Sequence, residues 1–375
     1  MSLLRAHLQQ LPPYKPVEPY EVLARKLGRD PADLVKLDAN ENPYGPLPQV
    51  REALARLAYP HIYPDPESRR LRQALAETYG LPMEHFFVGA GADELIELII
   101  RVLMDPGDVL VDCPPTFGMY SFVARVYNAR VVEVPRNPDF SLRLDALMDA
   151  VRTYRPKVLF LATPNNPDGS LLSREVVDAL LELPTLVVLD EAYIEFTDNG
   201  GPLGDGNSRL PEVPRRKNLV VLRTFSKAAG LAGLRVGYGA FPLWLTEALW
   251  KVKQPYNVSV AAQVAAEVTL RHREDLIPVV ERLRAERQRL YEALQTVPYL
   301  EPYPSQTNFL LVRVREGSAQ ALRDYLAQEH GILVRYFSTL GLSDCVRISV
   351  GRPEDTDRLL EALTQWTPQP HAAPR

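Results

Sequence analysis

Three short, wholly apolar runs limit what this chain can fold into more than anything else in it: Val158–Ala162, Leu186–Leu189 and Leu219–Leu222. Runs of four or five such residues read as strands buried on both faces, the kind found inside a parallel sheet clothed in helices. The stretches between them are long enough for a helix to cross back each time. Helices and short apolar strands alternate in this way to about Gln254. Beyond that point come helical periodicity over 262–296 and strands near Phe309–Val314, Ile332–Arg335 and Val346–Val350. The expectation is an α/β chain: a large domain with a mostly parallel seven-stranded sheet between helices, plus a smaller α+β domain.

Each apolar run ends in polar residues, and open α/β sheets bind ligands at the carboxyl ends of their strands. Val158–Ala162 runs into Thr163-Pro164-Asn165-Asn166-Pro167-Asp168-Gly169, a turn by composition. Leu186–Leu189 runs into Asp190-Glu191-Ala192-Tyr193. Leu219–Leu222 runs into Arg223-Thr224-Phe225-Ser226-Lys227, with Arg235 eight residues further on. A lysine at a strand mouth, among small hydroxyls and an arginine, suits a carbonyl cofactor that carries a phosphate. A carboxylate such as Asp190 suits the ring nitrogen of pyridoxal phosphate, keeping it protonated. Tyr193 and Asn166 are candidates to hydrogen-bond the ring hydroxyl.

A phosphate site is also legible. Phe86-Phe87-Val88-Gly89-Ala90-Gly91-Ala92-Asp93-Glu94 reads as strand, glycine turn and helix start, where free N–H groups attract anions. A dinucleotide fingerprint would need a third glycine where Glu94 stands. The Ala92 and Asp93 backbone is therefore assigned to the phosphate, with Thr224, Ser226 and Arg235 completing the cup.

The order Asn-Pro-x-Gly, Asp-x-x-Tyr, Ser-Lys and Arg resembles the fold-type-I pyridoxal-phosphate aminotransferases of class I and II. Asn166 to Asp190 is 24 residues and Asp190 to Lys227 is 37. Further segments resemble the histidinol-phosphate aminotransferases within that group: Leu37–Pro46, Tyr63–Pro66, Cys113–Tyr120, Lys253–Val258, Gly331–Arg335 and Val346–Gly351. The likeness runs from about Tyr20 to about Arg352. It implies transamination between L-histidinol phosphate and 2-oxoglutarate, giving imidazole acetol phosphate and L-glutamate in histidine biosynthesis. It implies catalytic roles for Lys227, Asp190 and Tyr193. It places Phe117 on the ring face, where the family commonly has a tyrosine. It places Tyr63 on the phosphate of a partner subunit, hence a homodimer with shared active sites. By the same likeness Tyr20 and Arg335 lie near the donor's phosphate, Arg347 takes the acceptor's carboxylate, and Asn308 lines that pocket. The cofactor skeleton is shared by threonine-phosphate decarboxylases and aromatic amino-acid aminotransferases, and a ligand-sensing regulatory module is the non-enzymatic alternative.

A formal charge of −4 over 375 residues argues against a nucleic-acid binder, which needs a basic face. Two cysteines, Cys113 and Cys345, have neither metal spacing nor a disulfide framework and fit a reducing cytoplasm. No apolar stretch approaches a membrane span. The expected division is an arm over 1–35, a large cofactor-binding domain over 45–258, a small domain over 36–44 and 259–369, and a tail over 370–375. The glycine-rich stretch Asp198–Ser208 reads as an exposed loop.

Overall fold

The computed structural model describes residues 3–14, 17–339 and 341–368; the expected tail over 370–375 lies outside them. Two sheets organise the chain. The larger is built from β2 (Phe86–Gly89), β3 (Val109–Asp112), β4 (Arg130–Glu133), β5 (Val158–Ala162), β6 (Leu186–Asp190), β7 (Leu219–Thr224) and β8 (Gly237–Ala240), in the order β2-β8-β7-β6-β5-β3-β4. All its pairings are parallel except those of β8, which is antiparallel to β2 and β7. The smaller sheet orders β1 (Val35–Leu37), β11 (Ile332–Tyr336), β12 (Cys345–Ser349), β10 (Phe309–Val314) and β9 (Leu300–Pro302).

The apolar runs are the three central strands of the large sheet, and their alternate residues feed different cores. Leu159, Leu161, Val187, Leu189 and Val221 pack into one cluster, while Val158, Phe160, Val188, Val220 and Leu222 pack into another on the opposite face. A strand covered on both faces has no wet side, which is why these runs show no polar alternation. The small sheet differs. Leu310, Val312, Val346, Ile348 and Val334 face a helical layer holding Leu290, Leu326 and Leu359. The intervening residues Arg335 and Arg347 line the space between the sheets.

The domain boundary needs one correction. Helix Val260–Arg271, expected in the small domain, buries Ala262, Ala265, Ala266 and Leu270 in the large-sheet core. Its run of small residues lets it pack closely on helices Pro48–Ala55 and Arg69–Tyr79. Helix Ile277–Gln295 then bridges the units, with Val280 and Leu283 in the large core and Leu290 and Leu294 in the small one. The stretch Asp198–Ser208 is only partly exposed: Leu203 is buried, and Asp198 and Asp205 pair with Arg287 and Arg273. Among the described residues no helix is long and apolar enough to cross a membrane.

Candidate active site

An inner cavity opens at the carboxyl ends of β5, β6 and β7. It is lined by Ala92, Asp93, Phe117, Asn166, Asp190, Tyr193, Thr224, Ser226, Lys227 and Arg235. Ten residues singled out in the sequence thus face one space. An outer chamber shares Ala39, Phe117, Asn166, Tyr193 and Lys227 with it and continues to Arg335 and Arg347 on the small sheet.

Asp190 ends β6, opposite Leu222 in register and 5 % exposed. Its Oδ2 accepts the Tyr120 hydroxyl at 2.7 Å and its Oδ1 the Ala192 N–H at 3.1 Å. Burial pushes its carboxyl up to about 6, although the Tyr120 and Ala192 hydrogen bonds and the Lys227 charge pull it down. An ionised Asp190 is thus costly on its own, and a cationic ring nitrogen would relieve it. Tyr120, fully buried and stacked on Phe160 at 5.0 Å, is a residue the sequence reading missed. It lies in the first turn of helix Met119–Val126, just after Phe117, and the two rings meet edge to face at 5.6 Å.

Lys227 follows β7 and extends toward the Ala39 carbonyl, 3.5 Å from Nζ, above the Tyr193 ring. Tyr193 is held by the Asn40 amide, whose Nδ2 donates to its hydroxyl at 3.1 Å. Asn40 in turn receives Ser349 Oγ on Oδ1 at 2.9 Å and Asn308 Nδ2 on its carbonyl at 3.0 Å. Asn308 therefore braces Asn40 from behind the wall and lines neither chamber. Asn165, the neighbour of Asn166, is spent on the turn, with bonds to Thr116 and Pro115. Asn166 Oδ1 accepts Arg347 Nη1 at 2.7 Å, which leaves its amide N–H groups for the cavity.

The phosphate end is built from backbone. Helix Ala92–Leu103 starts at Gly91 (φ 81°) with no side chain capping it, so its first N–H groups stay open. A Cβ on Gly91 would stand 2.6 Å from Arg235 Nη2, and one on Gly237 2.6 Å from the Ala92 nitrogen. Both glycines are needed for the cup to close this tightly. Arg235 is half exposed and paired with Asp93 Oδ2 at 2.9 Å. Thr224 Oγ1 donates to Ser226 Oγ at 2.9 Å.

Arg347 is buried, with Nη2 donating to the Asp38 carbonyl at 2.9 Å and Nε lacking a partner. Burial lowers its guanidinium to about 10, Tyr193 opposing and the neighbouring Arg335 reinforcing the fall. Besides Asn308, two further sequence-predicted residues stand outside both chambers. Tyr20 lines neither chamber: its hydroxyl donates to the Leu34 carbonyl at 3.1 Å and to that of Pro31. Helix Tyr20–Leu27 packs against Leu34, Leu333 and Ala327, and this local packing leaves the ring outside both chambers. Tyr14 stands in the outer chamber instead. Tyr63 is 78 % exposed, stacked on Tyr256 at 4.5 Å, and turned away from its own cavity.

A lysine and a carboxylate facing across a cavity, an aromatic wall and an open helix N-terminus fit pyridoxal phosphate without rearrangement. The chain belongs to the aminotransferase class I and II family, whose model matches residues 32–363. Among named relatives, it is 54% identical over 366 residues to histidinol-phosphate aminotransferase 1, chloroplastic, of Arabidopsis thaliana, covering 97% of this chain and 86% of that one. It is 51% identical over 372 residues to the histidinol-phosphate aminotransferase of Roseiflexus castenholzii, covering 97% and 98%. The crystal structure of histidinol-phosphate aminotransferase from Sinorhizobium meliloti in complex with pyridoxal-5'-phosphate superposes with a TM-score of 0.88 at 32% identity, covering 97% of each chain.

Proposed function

We propose that this protein is a pyridoxal-phosphate-dependent transaminase that exchanges an amino group between L-histidinol phosphate and 2-oxoglutarate, a step of histidine biosynthesis. One observation carries the reading: Lys227 and Asp190, at the ends of adjacent parallel strands, line one cavity whose other end is the uncapped helix N-terminus at Ala92. Relatives at 51–54% identity bear the name of that enzyme.

Bound pyridoxal phosphate supplies a carbonyl for amine exchange and a ring that takes up the electron pair left on Cα. The chain's residues do the rest. Ala92 and Asp93 N–H groups, Thr224, Ser226 and Arg235 hold the phosphate. Asp190, fixed by Tyr120 and Ala192, would hold negative charge against the ring nitrogen of the bound cofactor. Phe117 covers the ring face with its aromatic surface alone. Tyr193 and Asn166 present hydrogen-bond donors at the wall. Lys227, on the wall common to both chambers, takes the proton from the donor's Cα and returns one when the amino group is delivered. Arg347 and Arg335 give the anionic end of either substrate a place opposite the lysine.

The same proposal includes a homodimer. Tyr59, Ile62 and Tyr63 are exposed, Tyr63 stacks on Tyr256, and such an uncovered apolar group supports a subunit contact through which Tyr63 would reach a neighbour's phosphate site. It also includes a cytoplasmic location, supported by two buried, unbridged cysteines; the plant relatives are chloroplastic by name.

The test is an absorbance spectrum of the holoenzyme before and after L-histidinol phosphate is added without any oxo acid. The visible band is expected to disappear and to return on addition of 2-oxoglutarate. A band indifferent to histidinol phosphate would refute the donor.

A further inference from the structure

The outer chamber has two unlike walls. Asp112 and Glu133 are register partners at the ends of β3 and β4, and Arg335 and Arg347 are register partners on β11 and β12. All four line the chamber. Acids therefore stand on the large sheet and arginines on the small one, with Lys227 on the wall shared with the inner cavity. The two acids are not equivalent. Glu133 is half exposed and already paired with Arg125 at 2.8 Å. Asp112 is 3 % exposed and, among the described residues, has no arginine or lysine in hydrogen-bond contact: its Oδ1 accepts the Cys113 N–H at 3.0 Å, and Ser121 supports it. Burial pushes this carboxyl up to about 6. A buried acid without a cation, on a cavity wall, is a poor structural element and a good acceptor for a ligand N–H.

We infer that Asp112 is a specificity-determining residue that receives the imidazole N–H of the donor, while Arg335 and Arg347 hold its phosphate. The inference rests on the histidinol-phosphate reading above. In that molecule the ring and the phosphate leave the reacting carbon in opposite directions. Seating the phosphate on the arginine wall turns the ring toward Asp112. Glutamate, the other amine, carries a carboxylate at each end and no ring donor, so Asp112 gives it nothing and repels whichever carboxylate approaches.

This difference makes the test discriminating. Asp112→Asn keeps the Oδ1 acceptor for Cys113 N–H and removes the charge. The holoenzyme's half-reactions with L-histidinol phosphate and with L-glutamate are measured separately as kcat/KM. Calorimetry then gives the Kd for histidinol phosphate on protein that also carries Lys227→Ala, which cannot turn it over. Histidinol phosphate should lose about tenfold or more in both measurements, with glutamate unchanged or improved. Ser121→Ala, a milder change at the same carboxylate, should move the ratio in the same direction, and Glu133→Gln should leave it within about threefold. Equal losses for both amines would mark Asp112 as structural and overturn the inference, as would an unchanged ratio in both Asp112→Asn and Ser121→Ala. Wild-type protein that ignores histidinol phosphate would overturn the substrate reading itself and this inference with it.

Discussion

Directly behind the strand ends that line the inner cavity lies a buried ion pair whose two halves should not be equally replaceable. Glu191 follows Asp190, Arg223 precedes Thr224, and Arg223 Nε meets Glu191 Oε2 at 3.2 Å with both side chains almost fully buried. Arg223→Met leaves Glu191 its bonds from Ser208 Oγ (2.6 Å) and Arg209 N–H (2.8 Å) but no cation. Asp205 keeps Arg273 at 2.6 Å, whereas Glu191 loses its 3.2 Å cation and Glu195 its more distant one at 3.8 Å. Breaking a buried pair in this way costs about 3–5 kcal/mol. Glu191→Gln strands less. Arg223 retains Asp205 at 3.5 Å, Glu195 at 3.8 Å and the Tyr79 hydroxyl at 3.2 Å, so about 1–2 kcal/mol is expected. At roughly 2 cal/mol/K of unfolding entropy per residue, these become about 4–6 °C and 1–3 °C in Tm.

The pH dependence adds a second check. Burial raises Glu195 to about 7, with Arg223 as the first opposing influence. A carboxyl raised in the folded state contributes stability below its unfolded value that is lost as pH rises through the folded one. Without Arg223 the folded value climbs further, so the loss continues past 7. The Tm gap between wild type and Arg223→Met should therefore widen from pH 6 to pH 8. Thermal unfolding of the apo-protein at one fixed concentration reads both effects. A Glu191→Gln cost equal to or above that of Arg223→Met would refute the reasoning.

Three further outcomes are expected. Lys227→Ala should give a folded protein with no borohydride-stable cofactor label and turnover reduced by at least about a thousandfold; a label retained on another lysine would refute the assignment. Mixed dimers of Tyr63→Phe with Lys227→Ala should recover part of the activity that each homodimer lacks, and verified heterodimers without recovery would argue against a shared site. Tyr120→Phe removes the 2.7 Å donor to Asp190 and should raise that carboxyl from about 6 by about one unit. The acidic limb of pyridoxal-phosphate affinity should then move to higher pH, and an unmoved limb would show that Tyr120 only fills space.

The parts of the fold legible in the sequence are those where burial is complete on both faces. Strands β5, β6 and β7 announce themselves because no polar residue interrupts them. By contrast β4 is Arg-Val-Val-Glu on the sheet edge, and β8 is Gly-Tyr-Gly-Ala, where missing side chains admit the Ala92 turn and Phe241. Neither carries a hydrophobic pattern of its own. Asn166, Asp190, Thr224, Ser226 and Lys227, which line the inner cavity, were readable because they end or follow the legible strands. Those that act through another residue, Tyr120 behind Asp190 and Asn40 behind Tyr193, look like a core aromatic and a turn former until the fold brings them together. Tyr20 shows the converse: where its ring lies is set by the packing of its own helix, outside both chambers, which a motif does not display.

The segment Asp38–Asn40 is stitched to the far end of the chain. Asn40 N–H and Oδ1 both engage Ser349, and Arg347 grips the Asp38 carbonyl, each across 309 positions of sequence. Lys227 and Asp190 leave the ribosome well before those partners exist. A nascent chain therefore exposes the Lys227 amine before the contacts that hold Asn40 against Tyr193, and before Arg347, are in place. Competence arrives only with the last strand of the small sheet, so a product truncated before Cys345 is expected to retain the lysine and lack the enzyme.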